Sequence, residues 1–191
     1  LGNGEPNLFK GAPAPLAQVL RDNLPSFESL SRYTPGQHIF SLNGELIQQN
    51  VMAVDPEIID ILGLNFLEGA AEHALSDPNS LVLTRKAAHR LFGNTNILGE
   101  IIQIQNEDRN FRVTGVVEDL PTASHFQDPD SNYLEALTPQ MEEAASGPGQ
   151  WFRLAGLLYI KVSEAAARDV PALEKQLDSF RQEVKPGGLS S

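Results

Sequence analysis

Residues 54–69 read VDPEIIDILGLNFLEG, and this stretch holds the densest local structural signals in the chain. Asp55 followed by Pro56 is typical of a helix start, because a carboxylate can accept free backbone N–H groups and proline has no N–H to lose at the first helical position. Gly63 fits the residue after the last turn, since glycine adopts a left-handed backbone at little cost. The sequence therefore predicts a short helix over 57–62.

Upstream of this helix, the sequence predicts a strand over 51–54 and a β-hairpin. Asn43–Gly44 separates two β-rich runs, and this dipeptide suits a type I′ turn, in which both central residues have positive φ. Pro35–Gly36 is expected to turn the chain earlier. A helix starting at Pro15 precedes the β-rich region. Its apolar residues recur with helical spacing on one face: Leu16, Val19, Leu20 and Leu24.

Downstream, the sequence predicts a turn at 77–79, a strand at 81–83 and a second short helix. Thr84 is positioned to cap that helix and Gly93 to end it. A second hairpin is expected from strands over 101–105 and 111–118. Three apolar residues of its second strand are expected to share one face: Phe111, Val113 and Val117.

The C-terminal third is uneven in signal. Residues 120–150 contain prolines and acidic residues, with one short helix expected near 139–145. Residues 154–162 are apolar at successive positions, which predicts a central strand buried on both faces. A last helix is expected to begin at Asp169 and Pro171. Its apolar face is formed by Leu173, Leu177, Phe180 and Val184.

Terminal helix–strand and strand–helix units around a long β-rich middle indicate an α+β fold with two subdomains. One of the two is built from both ends of the chain. No internal repeat is evident in the sequence.

The charge and cysteine content of the chain limit the classes of function it can have. Of the 191 residues, 14 are Lys or Arg and 25 are Asp or Glu, giving a net charge of −11. This balance argues against nucleic-acid binding, which needs cations to replace phosphate counterions. Cysteine is absent, and no apolar run approaches the ~20 residues that span a bilayer. Because both ends are polar and linker-like, we expect a domain excised from a longer protein.

The histidines and one acidic loop do not form a convincing metal site. The four histidines, which never show H-x-x-x-H spacing, are His38, His73, His89 and His125. Asp128, Asp130 and Asn132 resemble the start of a calcium loop. However, the sixth position is Tyr133 instead of glycine and the twelfth is Pro139 instead of glutamate. The acidic loop 126–132 is therefore interpreted as a solvated segment.

Several carboxylates and aromatic residues are candidates for catalysis or ligand binding. Four carboxylates lie near element ends: Glu57, Asp60, Glu118 and Asp119. Charge compensation at a helix start explains Glu57 without catalysis. Trp151 with Phe152 forms either a binding platform or, as we favour, the edge of a core. No nucleophile elbow or phosphate-binding loop occurs. We therefore predict no catalytic, cofactor-binding or metal-binding residue and no enzymatic turnover.

Three stretches together resemble a known family. Residues 54–69 resemble its VDP–apolar helix segment. Residues 77–99, DPNSLVLTRKAAHRLFGNTNILG, resemble its NSVVLT…A…LFG…LG run, and residues 111–125, FRVTGVVEDLPTASH, resemble its VTGVV-x-DLP-x-x-SH strand. By these motifs, in this order, the chain is similar to the MacB-like periplasmic core domain of FtsX/MacB-type ABC-transporter permeases.

The resemblance implies a porter-like subdomain of residues 12–34 and 152–185, and a β-rich sabre-like subdomain of residues 35–151. Residues 1–11 and 186–191 are then linkers to membrane helices. It implies a periplasmic domain of a bacterial inner-membrane permease that couples ATP-driven helix movement to substrate export or partner regulation.

The same resemblance implies a set of partners. They are the permease's own transmembrane helices, a cytosolic ABC ATPase subunit, a second half of a homodimeric or pseudo-dimeric permease, and a periplasmic protein, with no nucleic acid. Two alternatives stay open from the sequence. One is a freestanding extracellular binding or adhesin module, and the other is a periplasmic hydrolase with dispersed carboxylates.

Overall fold

The computed structural model describes residues 12–13, 15–24, 26–105, 110–121, 135–139 and 156–183. The helices within these ranges are α1 (Leu16–Asn23), α2 (Ile58–Leu62), α3 (Arg85–Phe92), α4 (Glu164–Arg168) and α5 (Val170–Glu183). The strands are β1 (Phe27–Leu42), β2 (Glu45–Val54), β3 (Phe66–Gly69), β4 (Ser80–Thr84), β5 (Ile101–Ile104), β6 (Asn110–Val117), β7 (Ala136–Pro139) and β8 (Leu157–Val162). The α+β class is confirmed.

Six of the strands close into a ring. The strand order is β2-β7-β4-β6-β5-β1-β8, and β1 also pairs with β2, so that β1 to β7 without β3 form a closed circuit. The predicted hairpin joins β1 to β2, with Asn43 at φ 51° and Gly44 at φ 84°. Two strands lie outside the circuit, since β3 pairs with β6 and β8 pairs with β1.

The core fills the ring and continues outside it. Alternate residues of the strands face opposite ways, as in every β-strand. Inside lies the ring cluster, which includes Phe40, Leu83, Ile102 and Phe111 and is completed by α3. Outside lies a second cluster formed by α2 and the opposite faces of the same strands. Both faces of β4 are therefore buried along its whole length.

The first and last described helices meet on β1 in a third cluster, called here the terminal cluster. It joins the buried residues Ala17, Leu20, Leu24, Leu30 and Phe180. These residues come from α1 and the segment after it, from the first half of β1, and from α5. The predicted apolar faces of the first and last helices are thus confirmed at Leu20, Leu24 and Phe180. Val184 lies outside the described residues.

The expected turn at Pro35–Gly36 is wrong, because β1 continues through it as one strand of 16 residues. Pro35 pairs with Met52 of β2. On its other side, β8 pairs with β1 only up to Tyr33, and β5 pairs with it only from Phe40 onward. Proline cannot donate a ladder hydrogen bond, and it is tolerated here because no described strand lies beside it on that side.

The expected common face is confirmed for Phe111 and Val113 but is wrong for Val117. The register of β6 against β4 shifts between Leu81 and Val82, which pair with Val113 and Gly115. The extra residue is a bulge, and a bulge reverses which side the following residues face. Val116 therefore joins Phe111 in the ring cluster, whereas Val117 packs in the second cluster outside.

Two expectations for the C-terminal third are corrected. The strand at 157–162, expected to be central, is β8 at the end of the strand order, and its residues are exposed or only half-buried. Its apolar residues nevertheless pack on both faces, with Leu158 and Ile160 against the terminal cluster and Tyr159 against the second cluster. Conversely, the weak region 120–150 contains β7, a buried strand between β2 and β4. A helix was expected near 139–145. Of this range the structure describes only Pro139, which is the last residue of β7.

Candidate functional site

The most organised polar site joins the terminal helix α1 to the ring and is centred on Asp55. The Asp55 side chain is 7% exposed. Its carboxylate accepts hydrogen bonds from the Arg32 backbone N–H at 2.9 Å and from the Arg32 guanidinium at 2.6–3.0 Å. Arg21 of α1 donates to the same carboxylate at 3.0 Å and to the Leu30 carbonyl at 3.1 Å. One carboxylate thus holds two cations from different elements.

Local backbone geometry presents Asp55 to these cations. Asp55 directly follows β2, and its backbone carbonyl accepts the Ile58 N–H at 3.1 Å. Ser31, which is fully buried, accepts the Asp55 N–H at 3.2 Å through its hydroxyl oxygen. The predicted role of Asp55 as a side-chain cap of α2 is wrong, because the carboxylate turns to Arg32 and Arg21 instead. The helix still ends as predicted at Gly63, at φ 60°.

The electrostatics of the site favour an ionised Asp55. Burial alone would raise the pKa of this carboxyl, but the hydrogen bonds and positive charges of Arg32 and Arg21 outweigh it and hold the pKa below its usual value. Arg32 and Arg21 keep 21% and 32% of their side-chain surface exposed. Because one carboxylate binds Arg21 of α1 and Arg32 of β1, the site, called here the tie, links α1 to β1 and to the β2–α2 connection.

A second polar cluster connects the start of β7 to its neighbours α3 and β2. The Glu135 carboxylate contacts the Arg90 guanidinium of α3 and accepts the Asn50 N–H at 2.8 Å. Arg90 also donates to the side-chain carbonyl of buried Gln49. This group links α3, β2 and β7. Sequence reasoning missed it because Glu135 lies in the region without a clear pattern.

A family comparison identifies the kind of domain that carries this site. The model of the MacB-like periplasmic core domain matches residues 3–180. The chain belongs to this family. It is therefore a periplasmic domain of a MacB/FtsX-like ABC-transporter permease, as the three motifs predict. No individual curated protein matches the sequence.

Solved structures agree on the fold. A domain of a protein assigned as a permease from Porphyromonas gingivalis is similar at a TM-score of 0.70 and 19% identity, covering 93% of this chain and 79% of that one. The periplasmic region of MacB from Actinobacillus actinomycetemcomitans has a TM-score of 0.62 at 19% identity, covering 96% and 88%. The extracellular domain of the noncanonic ABC-type transporter YknZ from Gram-positive bacteria has a TM-score of 0.58 at 13% identity, covering 88% and 86%.

The histidines of this MacB-like domain are separated. His38, half-buried on β1, stacks edge-on against Phe111 with ring centroids 6.4 Å apart. The His89 ring nitrogen Nδ1 lies 3.2 Å from the Gly93 carbonyl oxygen at the end of α3, and His73 is exposed. His125 lies outside the described residues. Within those residues, no three metal-ligating side chains come together.

The four candidate carboxylates have different neighbours. Asp60 accepts a hydrogen bond from Lys161 of β8 at 2.8 Å, and this bond raises the pKa of Lys161. Asp119 accepts the Lys86 N–H at 2.9 Å, at the start of α3. Glu118 approaches Arg85 at 3.9 Å, and Glu57 is exposed just before α2. Each position is explained by helix termini or surface ion pairs.

The remaining candidate residues lie outside the described ranges. Asp128, Asp130 and Asn132, together with Trp151 and Phe152, fall in ranges that the structure does not describe. A cleft of about 440 Å³ opens at one end of β4 and β6, beside Asp77, Arg112 and Thr114. Two of its polar groups bond within the domain: Thr114 donates to the Ala74 carbonyl at 2.6 Å, and the Asp77 carboxylate accepts the Asn79 N–H at 2.8 Å. No helix in the described part of the chain is long and apolar enough to cross a bilayer.

Proposed function

We propose that this domain transmits ATP-driven movement of the permease's membrane helices to substrate export or to a periplasmic partner. One observation carries the proposal: α1 and α5, the helices nearest the two chain ends, pack together on the first half of β1, and β1 continues unbroken into the ring. Force entering at either end therefore meets a shared packed unit before it reaches the rest of the domain.

The tie at Asp55 supports the same route. Arg21 lies on α1, whereas Arg32 lies on β1 and Asp55 lies between β2 and α2. A displacement of α1 relative to the ring would separate Arg21 from a buried carboxylate, and breaking such a pair is costly. The tie thus favours movement of α1 and the ring as one body.

We further propose the division into a porter-like subdomain (12–34 and 152–185) and a sabre-like subdomain (35–151). The terminal cluster supports the first unit and the ring cluster the second. In this proposal, residues 1–11 and 186–191 connect to the membrane helices. The partners are a cytosolic ABC ATPase, a second permease half and a periplasmic protein, and the domain itself carries no catalysis.

The test uses the full-length permease with its ATPase, reconstituted in lipid vesicles. Because this domain has no cysteine, Glu45→Cys at the hairpin tip gives it a single spin-label site. We expect the distance between the labels of the two copies to change between the nucleotide-free state and the state trapped with ATP and vanadate. Arg21→Gln should reduce that change, because it removes the link to α1 while Asp55 keeps Arg32.

Arg168→Gln is the matched control. It removes an exposed ion pair with Glu164, whose two side chains are 81% and 91% exposed, and such pairs contribute little. It should leave the distance change intact. An unchanged distance in a permease that hydrolyses ATP would overturn the proposal, as would equal behaviour of Arg21→Gln and the unmodified protein.

A further inference from the structure

The cleft beside Arg112 lies on the outer face of the ring, where β4, β6 and β5 run side by side. Arg112 pairs with Ser80 of β4 on one side and with Ile101 of β5 on the other. The next residue of each strand belongs to the ring cluster, so these three face outward, because successive residues of a strand alternate between its faces. Asp77 and Asn79, in the turn before β4, also line the cleft, whose volume of about 440 Å³ is typical of a small-ligand site.

Hydrogen bonds within the domain fix the walls of the cleft. The Arg112 backbone N–H donates to the Asn79 carbonyl at 2.8 Å, which ties the turn to β6. The Asp77 N–H donates to the Ser80 hydroxyl oxygen at 3.3 Å, and the Ser80 N–H donates to the Asp77 carbonyl at 2.8 Å. A site that is formed before its ligand arrives loses less conformational entropy on binding.

Three side chains of the cleft keep hydrogen-bond donors that the described part of the chain does not use. Within those ranges, the Arg112 guanidinium donates only to the Gly99 carbonyl, at the long distance of 3.5 Å. The exposed side-chain amide of Asn110 has no hydrogen-bond partner there. Ser80 is 1% exposed, and no described residue accepts the hydrogen of its hydroxyl group. The strand wall therefore presents several donors and one positive charge.

We propose that this cleft binds the C-terminal carboxylate of a peptide chain. The planar guanidinium of Arg112 can hold a carboxylate through two parallel hydrogen bonds, and Asn110 and Ser80 supply further donors. Asp77 supplies the complementary acceptor. One of its carboxylate oxygens accepts the Asn79 N–H at 2.8 Å, and the other has no partner among the described residues. The last residue of a peptide brings both matching groups, a carboxylate and a backbone N–H.

The charges around the cleft favour a ligand with a single negative charge. Asp77 places a carboxylate in the same cleft as the one cation, and the whole chain carries −11. A phosphate dianion would therefore meet more repulsion here than a carboxylate monoanion. Ile101, 45% exposed, adds an apolar surface that suits an apolar last side chain.

The experiment measures binding to the purified 191-residue chain by NMR. The probe is acetyl-Ala-Leu with a free C-terminal carboxylate, and the comparison compounds are the same dipeptide with a C-terminal amide and inorganic phosphate. Acetyl-Ala-Leu should shift the backbone amide signals of residues 77–80 and 110–114 saturably. The amidated dipeptide and phosphate should each bind at least about tenfold more weakly, since the first lacks the charge and the second carries too much.

Variants of the cleft assign the binding to its side chains. Arg112→Gln should weaken the binding of acetyl-Ala-Leu by at least about tenfold, and Asn110→Asp should do the same by adding a negative charge beside the guanidinium. Both positions are exposed, so unchanged amide signals elsewhere should show that each variant folds. Arg168→Gln, which changes the net charge equally at an exposed position of α4, should bind like the unmodified chain. Asp77→Asn should strengthen the binding of phosphate, because it removes the repulsion.

A C-terminal carboxylate can belong to a free peptide or to a protein, and a second arm separates these sources. The residues Ala-Leu are placed at the C-terminus of a folded carrier protein. Binding by the dipeptide alone would assign a free peptide, and binding by both would assign any chain end. No saturable shift with acetyl-Ala-Leu, equal binding of its amide, or unchanged binding by Arg112→Gln would overturn the proposal. Force transmission is tested separately, because binding to the purified chain needs neither the ATPase nor the membrane.

Discussion

Replacing Asp55 with asparagine tests the energetic weight of the tie between α1 and the ring. The change keeps the size of the side chain but removes the charge that holds Arg32 and Arg21. Removing one partner of a buried ion pair costs about 3–5 kcal/mol. Because both arginines are partly exposed, at 21% and 32% of their side-chain surface, water solvates them in part. We therefore expect a loss near the lower limit, about 3 kcal/mol.

The assay is urea denaturation of the purified domain, followed by circular dichroism at pH 7. In a domain of this size, 3 kcal/mol corresponds to a fall in Tm of roughly 6–12 °C. Asp60→Asn is the matched control, since Asp60 and Lys161 are 67% and 41% exposed and their pair should contribute less than about 1 kcal/mol. Equal losses for the two variants would refute the assignment of Asp55 as a buried tie.

The pH dependence follows from the lowered pKa of Asp55. A carboxyl with a folded-state pKa below its unfolded value stabilises the fold above the unfolded pKa, and this contribution is lost as the pH falls through the folded value. The stability difference between the unmodified domain and Asp55→Asn should thus be full at pH 7 and shrink below about pH 4. A difference that is equal at pH 7 and pH 3 would contradict the ionised tie.

Four further predictions concern packing, backbone, dynamics and ligands. In urea denaturation, Phe180→Ala should lower the free energy of unfolding by about 3–4 kcal/mol and Leu177→Ala by about 2 kcal/mol. Phe180 loses more because it is 9% exposed, whereas Leu177 is only partly buried. Equal losses would contradict the described terminal cluster. Gly69→Ala should destabilise the domain by at least about 2 kcal/mol more than Gly99→Ala in thermal melts. Both glycines have φ near +87°, but a Cβ at Gly69 would lie 2.5 Å from the Thr114 carbonyl oxygen, whereas nothing lies within 4 Å of one at Gly99. In hydrogen exchange followed by mass spectrometry, the amides of β7 should exchange more slowly than those of β8, because β7 is buried between two strands and β8 lies at the end of the strand order. Faster exchange in β7 would show that the ring opens there first. Neither EDTA nor ATP should raise or lower Tm, since ligand binding to the native state shifts Tm by mass action, and a shift with either would reveal a site that the sequence does not predict.

Local signals in the sequence predicted α1, α2, α3 and α5 and the two hairpins, because caps, helical spacing and turn residues act within a few positions; α4 was not predicted. Thr84 caps α3 by accepting the Ala87 N–H at 3.2 Å, and Gly63 ends α2, as expected. The family could also be predicted from the sequence, because its motifs consist mostly of such local signals, and the family match confirms it.

Features that depend on distant partners were missed. The four residues of β7 have no strong pattern and are fixed by β2, as in the pair Val51 with Ala136. The position of β8 at the end of the sheet could not be predicted, because β8 packs on both faces as a central strand does and its apolar run therefore looks the same. At the candidate site, the sequence predicted Asp55 to be a cap, and only the fold reveals that Arg21 and Arg32 both bind its carboxylate.

The unbroken path of β1 has a geometric consequence for the permease. A strand rises about 3.3 Å per residue, so the 16 residues from Phe27 to Leu42 form a lever of roughly 50 Å. In the proposed transmission, a tilt of about 10° at the end packed against α1 would displace the hairpin tip by roughly 9 Å, nearly twice the ~4.8 Å spacing between neighbouring strands. A small rotation near the bilayer would then become a larger displacement at the β1–β2 hairpin.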